Sequence, residues 1–449
     1  MSERNFDFPR FTKEMKSTHK LLVPNMAPLH FEILQSILRD EGYDIEVLQD
    51  DGPGIAEEGL KYVHNDTCYP ALLVIGQFIT ALKSGRYDLD RTALIITQTG
   101  GGCRASNYIH LLRKALEKAG LGHIPVASLN FSGLEKDSGF SVTLPLLRKL
   151  LAAVLYGDML MSLRNQTAPY TAVPGAAEAL TQQWVEKLNA RFHVGKGTAE
   201  KELFANFDAI AADFAALELH RVPRVKVGVV GEIYVKYSPL GNNHLEEFLA
   251  SEGCEVNLPG LLGFVQYCIA NTSETIRLYG GSGLTAFGAD ALLRYIDRLE
   301  RKMGDAIRRH GLHAPTAFLD MKKLADGLIS YGNKMGEGWL LTAEMMELQS
   351  TGFENIVCAQ PFGCLPNHIC GKGMVNKLRA MYPKANITPI DYDPSATRVN
   401  QENRIKLMLS VAKERLNAGG TTPPSGGAPA DEPLYGRIEV PSVSVPAFG

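Results

Sequence analysis

Apolar and polar positions along the chain alternate between two periods. Residues 20–24 (KLLVP) and 44–48 (DIEVL) read as short strands, separated by a helix over HFEILQSILRDEGY. TALIITQT (92–99) is a nearly continuous apolar run, the pattern of a strand buried on both faces. A helix is expected from Cys68 to about Lys83, a second over 104–119 ending at Gly120, and a strand at HIPVASLN (123–130). Strands alternating with helices of this length imply a parallel sheet covered on both sides.

From 140 to 220 the helical period dominates, in TLPLLRKLLAAVLYGDMLMSL, AAEALTQQWVEKLNARF and EKELFANFDAIAADFAALEL. The strand–helix alternation resumes at Arg221, with strands at RVKVGVVGEI, CEVNLP, ENIVCAQ and ANITPIDY. Helices are expected at HLEEFLASEG, 284–311, GWLLTAEMMELQSTG, HICGKGMVNKLRAMY and SATRVNQENRIKLMLSVAKERL. The expected architecture is α/β: two Rossmann- or flavodoxin-like parallel-sheet domains with a helical insert between them. The boundaries are 1–139, 140–220 and 221–417. Residues 418–449 hold six Gly and six Pro, too little apolar surface for a core, and are expected to form a flexible tail.

The 449 residues are 45% hydrophobic and 21% charged, as in a globular protein rather than a disordered one. A net charge of −3 gives no global electrostatic case for a nucleic-acid binder. No apolar run reaches the roughly 18–20 residues of a membrane helix. The charged start, MSERNFDFPRFTKEMKSTHK, lacks the apolar core of a signal peptide, so a cytoplasmic protein is expected. Seven cysteines without a secretion signal argue against a disulfide framework. Reduced thiols leave three roles: buried filler, nucleophile or metal ligand.

Cys68 in HNDTCYP, Cys103 in QTGGGCR, and Cys358 and Cys364 in CAQPFGCLPNH share one expected setting. Each lies just before a helix or between a strand and a helix. In an open α/β sheet such loops gather at the carboxyl ends of strands, where ligands bind. Asp66 or Thr67 can cap the helix after Cys68, and Gly100–Gly102 let the backbone approach a ligand closely. Helix N-termini favour thiolate, the form that binds metal. Zinc sites use close cysteine pairs, whereas dispersed single cysteines fit an iron–sulfur cluster. Cys254 and Cys268 read as apolar filler; Cys370 lies one turn into a helix beside the site. His64 and His368 lie four residues from Cys68 and Cys364 and offer a thiol–imidazole alternative. Glu232 either faces the cleft or caps the loop that follows it. No phosphate-binding loop is present: the 363–373 glycines have the wrong spacing.

NDTCYP, TQTGGGCRASNY, VGVVGEIYVKYSPLGNN, CAQPFGCLPNH and IDYDPSATRVNQENRIKLML together resemble the 2-hydroxyacyl-CoA dehydratase-like superfamily over roughly residues 18–415. The likeness is to the dehydratase-like C-terminal region of large proteins that begin with an acyl-CoA dehydratase activase. The resemblance implies an oxygen-sensitive [4Fe-4S] cluster, or a double-cubane cluster, between the two domains. It implies cluster ligation by Cys68, Cys103 and Cys364, with Cys358 fourth and Cys370 the alternative, and cofactor contacts at Gly102, Arg104 and Gly363. It also implies a homodimer and a separate ATP-dependent activase, itself an iron–sulfur ATPase, that injects a low-potential electron. Three functions follow as expectations: an electron-transfer or reductase component, a dehydratase that acts on a 2-hydroxyacyl-CoA through a ketyl radical, or a non-enzymatic cluster carrier.

Overall fold

A computed structural model of the chain describes residues 8–98, 103–130, 140 and 143–419. Its strands are β1 (Lys20–Val23), β2 (Asp44–Val47), β3 (Thr92–Gln98), β4 (Val126–Asn130), β5 (Lys226–Gly231), β6 (Glu255–Asn257), β7 (Asn355–Pro361) and β8 (Asn386–Tyr392). They form two four-stranded sheets, ordered β2-β1-β3-β4 and β6-β5-β7-β8. Every pairing is parallel. The second sheet therefore repeats the topology of the first, the flavodoxin-type order in which the chain reverses direction beside the first strand. The two expected parallel-sheet units are both present.

The second sheet is buried on both faces because its central strands are mostly apolar. Val357 and Ala359 face one core with Val227 and Val229, while Val230, Ile356 and Cys358 face the other with Met345, Leu348 and Leu378. The segment between the sheets is helical: Leu144–Thr167, Ala176–His193 and Glu200–Ala215. Thr143 caps the first of these, accepting from the Leu146 N–H at 3.2 Å. Tyr156, Trp184, Phe192, Phe207 and Phe214 form its core with Ile33 and Ile37 from the first unit and Leu262, Ile296 and Met303 from the second. The helices thus bind the two sheet units to each other. One buried carboxylate does the same with hydrogen bonds. Asp158 accepts from His30 Nε2 at 2.8 Å and from the Leu261 and Leu262 amides at 2.7 and 2.8 Å.

Several elements differ from expectation. The helix expected over 104–119 starts as a single 3₁₀ turn, Arg104–Asn107, and becomes α-helical only at Tyr108–Lys118. The helix expected over 368–382 is broken into a wide π turn (Asn367–Gly371), a 3₁₀ turn and the helix Val375–Met381. A 19-residue helix, Leu261–Tyr279, occupies a stretch where the sequence pattern predicts no element. The tail beyond Gly419 lies outside the described residues. No helix among the described residues is long and apolar enough to cross a membrane.

Candidate functional site

Three of the four expected ligand thiols start helices. Cys68 is the residue before the helix Tyr69–Lys83, and Cys103 the residue before the 3₁₀ turn. Cys364 directly precedes the helical residue Leu365. Cys68 itself, rather than Asp66 or Thr67, takes the capping position. The Cys103 sulfur accepts from the Ala105 N–H at 3.5 Å, while Cys68 Sγ lies 3.1 Å from the buried Tyr108 hydroxyl. Arg104 ties the two loops together by donating to the Asp66 carbonyl at 2.6 Å.

The second sheet meets these loops at the carboxyl ends of β5 and β7, its own crevice between first and third strands. Gly231 ends β5 at φ +152°, where an added Cβ would stand 1.8 Å from the Ala359 carbonyl oxygen. Only glycine lets β5 hug β7 so closely there. Glu232 follows immediately and accepts from the Val235 N–H at 2.8 Å, capping the short helix Ile233–Tyr237. When ionised it also raises the Cys68, Cys103 and Cys364 thiols. Glu232 therefore both caps the loop and faces the thiols.

A second carboxylate, Glu337, was not legible as a site residue. It is 6% exposed and accepts from the Ile233 N–H at 3.0 Å and from Asn367 Nδ2 at 3.1 Å. The same Asn367 amide lies 3.3 Å from Cys364 Sγ, and its Oδ1 is buried without a partner. Next door, Gly336 at φ +57° brings the units together. A Cβ there would lie 3.2 Å from a Pro366 ring carbon and 3.9 Å from Cys103 Sγ. Cys103 of the first unit thus stands against the Cys364 loop of the second.

Burial dominates the electrostatics. It pushes the Cys68 thiol up to about 12, with Glu232 adding to the effect. Cys103 and Cys364 are raised in the same way, by burial first and by the charges of Glu337 and Glu232 as well. The helix N-termini do not make these thiols acidic, as the sequence suggested; the desolvation of a buried thiolate outweighs a few N–H groups. Glu232 is raised by burial and by Glu337, and Glu337 by burial. The thiols and Glu232 are made harder to ionise by neighbouring negative charge as well, and iron bound at the sulfurs would reverse that preference for the thiols, which ligate as thiolates. Among the described residues no three His, Cys, Asp or Glu side chains converge closely enough to enclose a single ion. A polynuclear cluster takes each thiolate on a different iron, so its ligands stand further apart. The half-buried, separated thiols and the partnerless Asn367 oxygen fit that larger group.

Cys358 is placed differently. It is fully buried in the core behind the second sheet, with Met345, Leu378 and Ile387, and its sulfur lies 3.0 Å from where a Cβ on Gly371 would stand. Burial pushes its thiol up to about 12. Cys370 is also buried, and its carbonyl accepts from Thr342 Oγ1 at 2.7 Å. Cys254 and Cys268 pack in apolar cores. Gly363 turns the chain before Cys364 at φ +72°. Gly102 lies outside the described residues. His64 is exposed and accepts from the Asp66 N–H, and His368 donates through Nδ1 to the Cys364 carbonyl at 2.9 Å. Neither of those ring contacts engages a thiol.

A cavity of about 340 Å³ opens where the three segments meet, between Leu29, Met161, Arg164, Tyr237, Asn242 and Leu258. Tyr237 closes the far end of the helix that Glu232 caps, and none of the three thiols lines the cavity. Neither a scan against protein-family models nor a search of curated proteins returns a match.

Proposed function

We propose that this chain is an oxygen-sensitive iron–sulfur protein of the 2-hydroxyacyl-CoA dehydratase-like type, acting in the cytoplasm. It serves as an electron-transfer or reductase component that takes low-potential electrons from a separate ATP-dependent activase. One observation carries the proposal: Arg104 ties the Cys68 and Cys103 loops of the first unit together, and Cys103 stands against the Pro366 turn that follows Cys364 in the second. When bound, a [4Fe-4S] cluster supplies one-electron chemistry at low potential.

The residues of the chain set the conditions for that chemistry. The three sulfurs would hold the cluster at the junction, so neither unit alone could complete the site. The backbone N–H groups of Ala71, Ala105 and Asn367 face those sulfurs and offset their charge. Glu232 and Glu337 lie beside the centre, and where they ionise their negative charge disfavours added electrons and lowers the potential. Tyr108 orients Cys68 through its 3.1 Å contact with the sulfur, and the half-burial of the three thiols limits their contact with water.

Anaerobic purification should give a brown protein with several irons and sulfides per chain and a reducible EPR signal. Cys68→Ser, Cys103→Ser and Cys364→Ser should each lose most of it. A colourless wild-type protein without iron after anaerobic reconstitution overturns the proposal.

The placement of Cys358 favours a second reading. With that thiol in the core, only three cysteines cap the site, and one cluster position is left for a substrate oxygen, as a 2-hydroxyacyl-CoA dehydratase requires. Steady dehydration of a 2-hydroxyacyl-CoA with activase, ATP and reductant would select this reading, and its absence would leave the reductase.

A further inference from the structure

The helices Leu261–Tyr279 and Gly283–Arg309 form an antiparallel hairpin whose inner half packs on the body of the protein. Burial in the first helix ends at Glu274, and in the second it begins at Leu293. The tip between them therefore projects. Its side chains are not those of a solvated tip. Tyr279 is 70% exposed, Leu284 81% and Phe287 64%, with Leu278, Leu292 and Tyr295 also exposed. Leu284, Phe287, Leu292 and Tyr295 fall on one side of the helix, at spacings of three, eight and eleven. Leu293, Ile296, Leu299 and Met303 form a different stripe, which faces the core. This helix thus carries two apolar faces, and among the described residues only one is covered.

The tip also lacks charge. From Leu278 to Ala289 the sequence is LYGGSGLTAFGA, without one ionisable acid or base other than the tyrosine. The flanking charges are held by each other: Arg277 bonds both Glu274 and Asp290 at 2.6 Å.

We propose that this hairpin tip is the contact surface between two copies of the chain. The area suits a stable dimer. Six large side chains at these exposures present roughly 700 Å². That is above the largest patch of a typical monomer and close to the roughly 800 Å² per partner of a standard interface. The absence of charge points to a second copy as the occupant. A two-fold contact sets each surface against itself, so any net charge in it would face its own sign. A neutral apolar stripe escapes that repulsion, and two such hairpins pack as four helices. The assignment is independent of the iron–sulfur reading.

Sedimentation velocity of the full chain, at micromolar concentration, tests it. The wild type should sediment at twice the 49.1 kDa of one chain. The double variant Leu284→Asp/Phe287→Asp should raise the dimer dissociation constant by roughly 100-fold or more and sediment as a monomer. Its circular dichroism and iron content should be those of the wild type, since both side chains are exposed. Val194→Asp, at an exposed apolar position on a different helix end, should stay dimeric. A monomeric wild type overturns the proposal, whether the tip then binds the chain's own C-terminal segment or a different protein. A double variant that remains dimeric overturns it equally.

Discussion

Replacing Asp158 with alanine removes three hydrogen bonds at one stroke. The lost partners are His30 Nε2 in the first unit and the Leu261 and Leu262 amides that open a helix of the second. Loss of a helix cap costs about 1 kcal/mol, and each hydrogen bond to a charged group about 1.5–3 kcal/mol. These contributions overlap because a single carboxylate makes all three. The working figure is therefore about 3–5 kcal/mol, the range for breaking a buried polar pair from one side. Relief by water is limited, because the adjoining cavity measures only about 50 Å³ and an added Cβ on Gly260 would already stand 2.5 Å from the carboxylate. Hydrogen exchange localises the effect and urea unfolding sizes it. Protection of the 261–262 amides should fall roughly 100-fold or more. Asp158→Asn keeps one acceptor and should lose about half as much. If Asp158→Ala stayed within about 0.5 kcal/mol of wild type with those amides still protected, the joint between the units would not depend on this residue.

Other outcomes follow from the site and the core. Cys358→Ser should keep the iron of the wild type while losing about 1–3 kcal/mol of stability, because a hydroxyl enters an apolar core; loss of iron would make Cys358 a ligand. Gly336→Ala should cost about 1–2 kcal/mol, since alanine resists the left-handed backbone and its methyl presses on Pro366. Alkylation of Cys103 should then become faster, and an unchanged rate would contradict the close approach of the two loops. Burial pushes Glu347 up to about 7 from its ordinary 4.5. Folded protein then keeps a proton that unfolded protein gives up, so its stability contribution is complete below about 4.5 and is lost as pH rises through about 7. Glu347→Gln, which can still accept from the Thr316 N–H, should remove that loss and gain up to about 3 kcal/mol at pH 8. An unchanged dependence of stability on pH between 5 and 8 would count against it.

Strands such as 92–98 and 226–231 were readable because a doubly covered sheet demands unbroken apolar runs. The helix Leu261–Tyr279 was harder to see because its apolar period, at Leu261, Phe264, Tyr267 and Ala270, stops where the hairpin leaves the body. The break at Asn367–Gly371 depends on contacts with Glu337 and Thr342 that no local pattern encodes. The thiol loops were legible from their place between strands and helices, but the acidity of the thiols was not, since desolvation is a property of the folded site. Glu337 had no local signal beyond an acid between two glycines before a buried tryptophan. Cys358 shared a motif with Cys364, yet strand alternation turns it to the face of the sheet opposite Ala359.

Cys103 follows the third strand of one sheet and Cys364 the third strand of the other, each at the head of a helix. A chain that grew by doubling a single ancestral half would inherit one sulfur at the same station in each copy. Two such halves, meeting face to face before they were ever joined, would already have offered a symmetrical pair of sulfurs to whatever lay between them. Cys68, which has no counterpart in the second half, is then the later addition that made the two sides unequal.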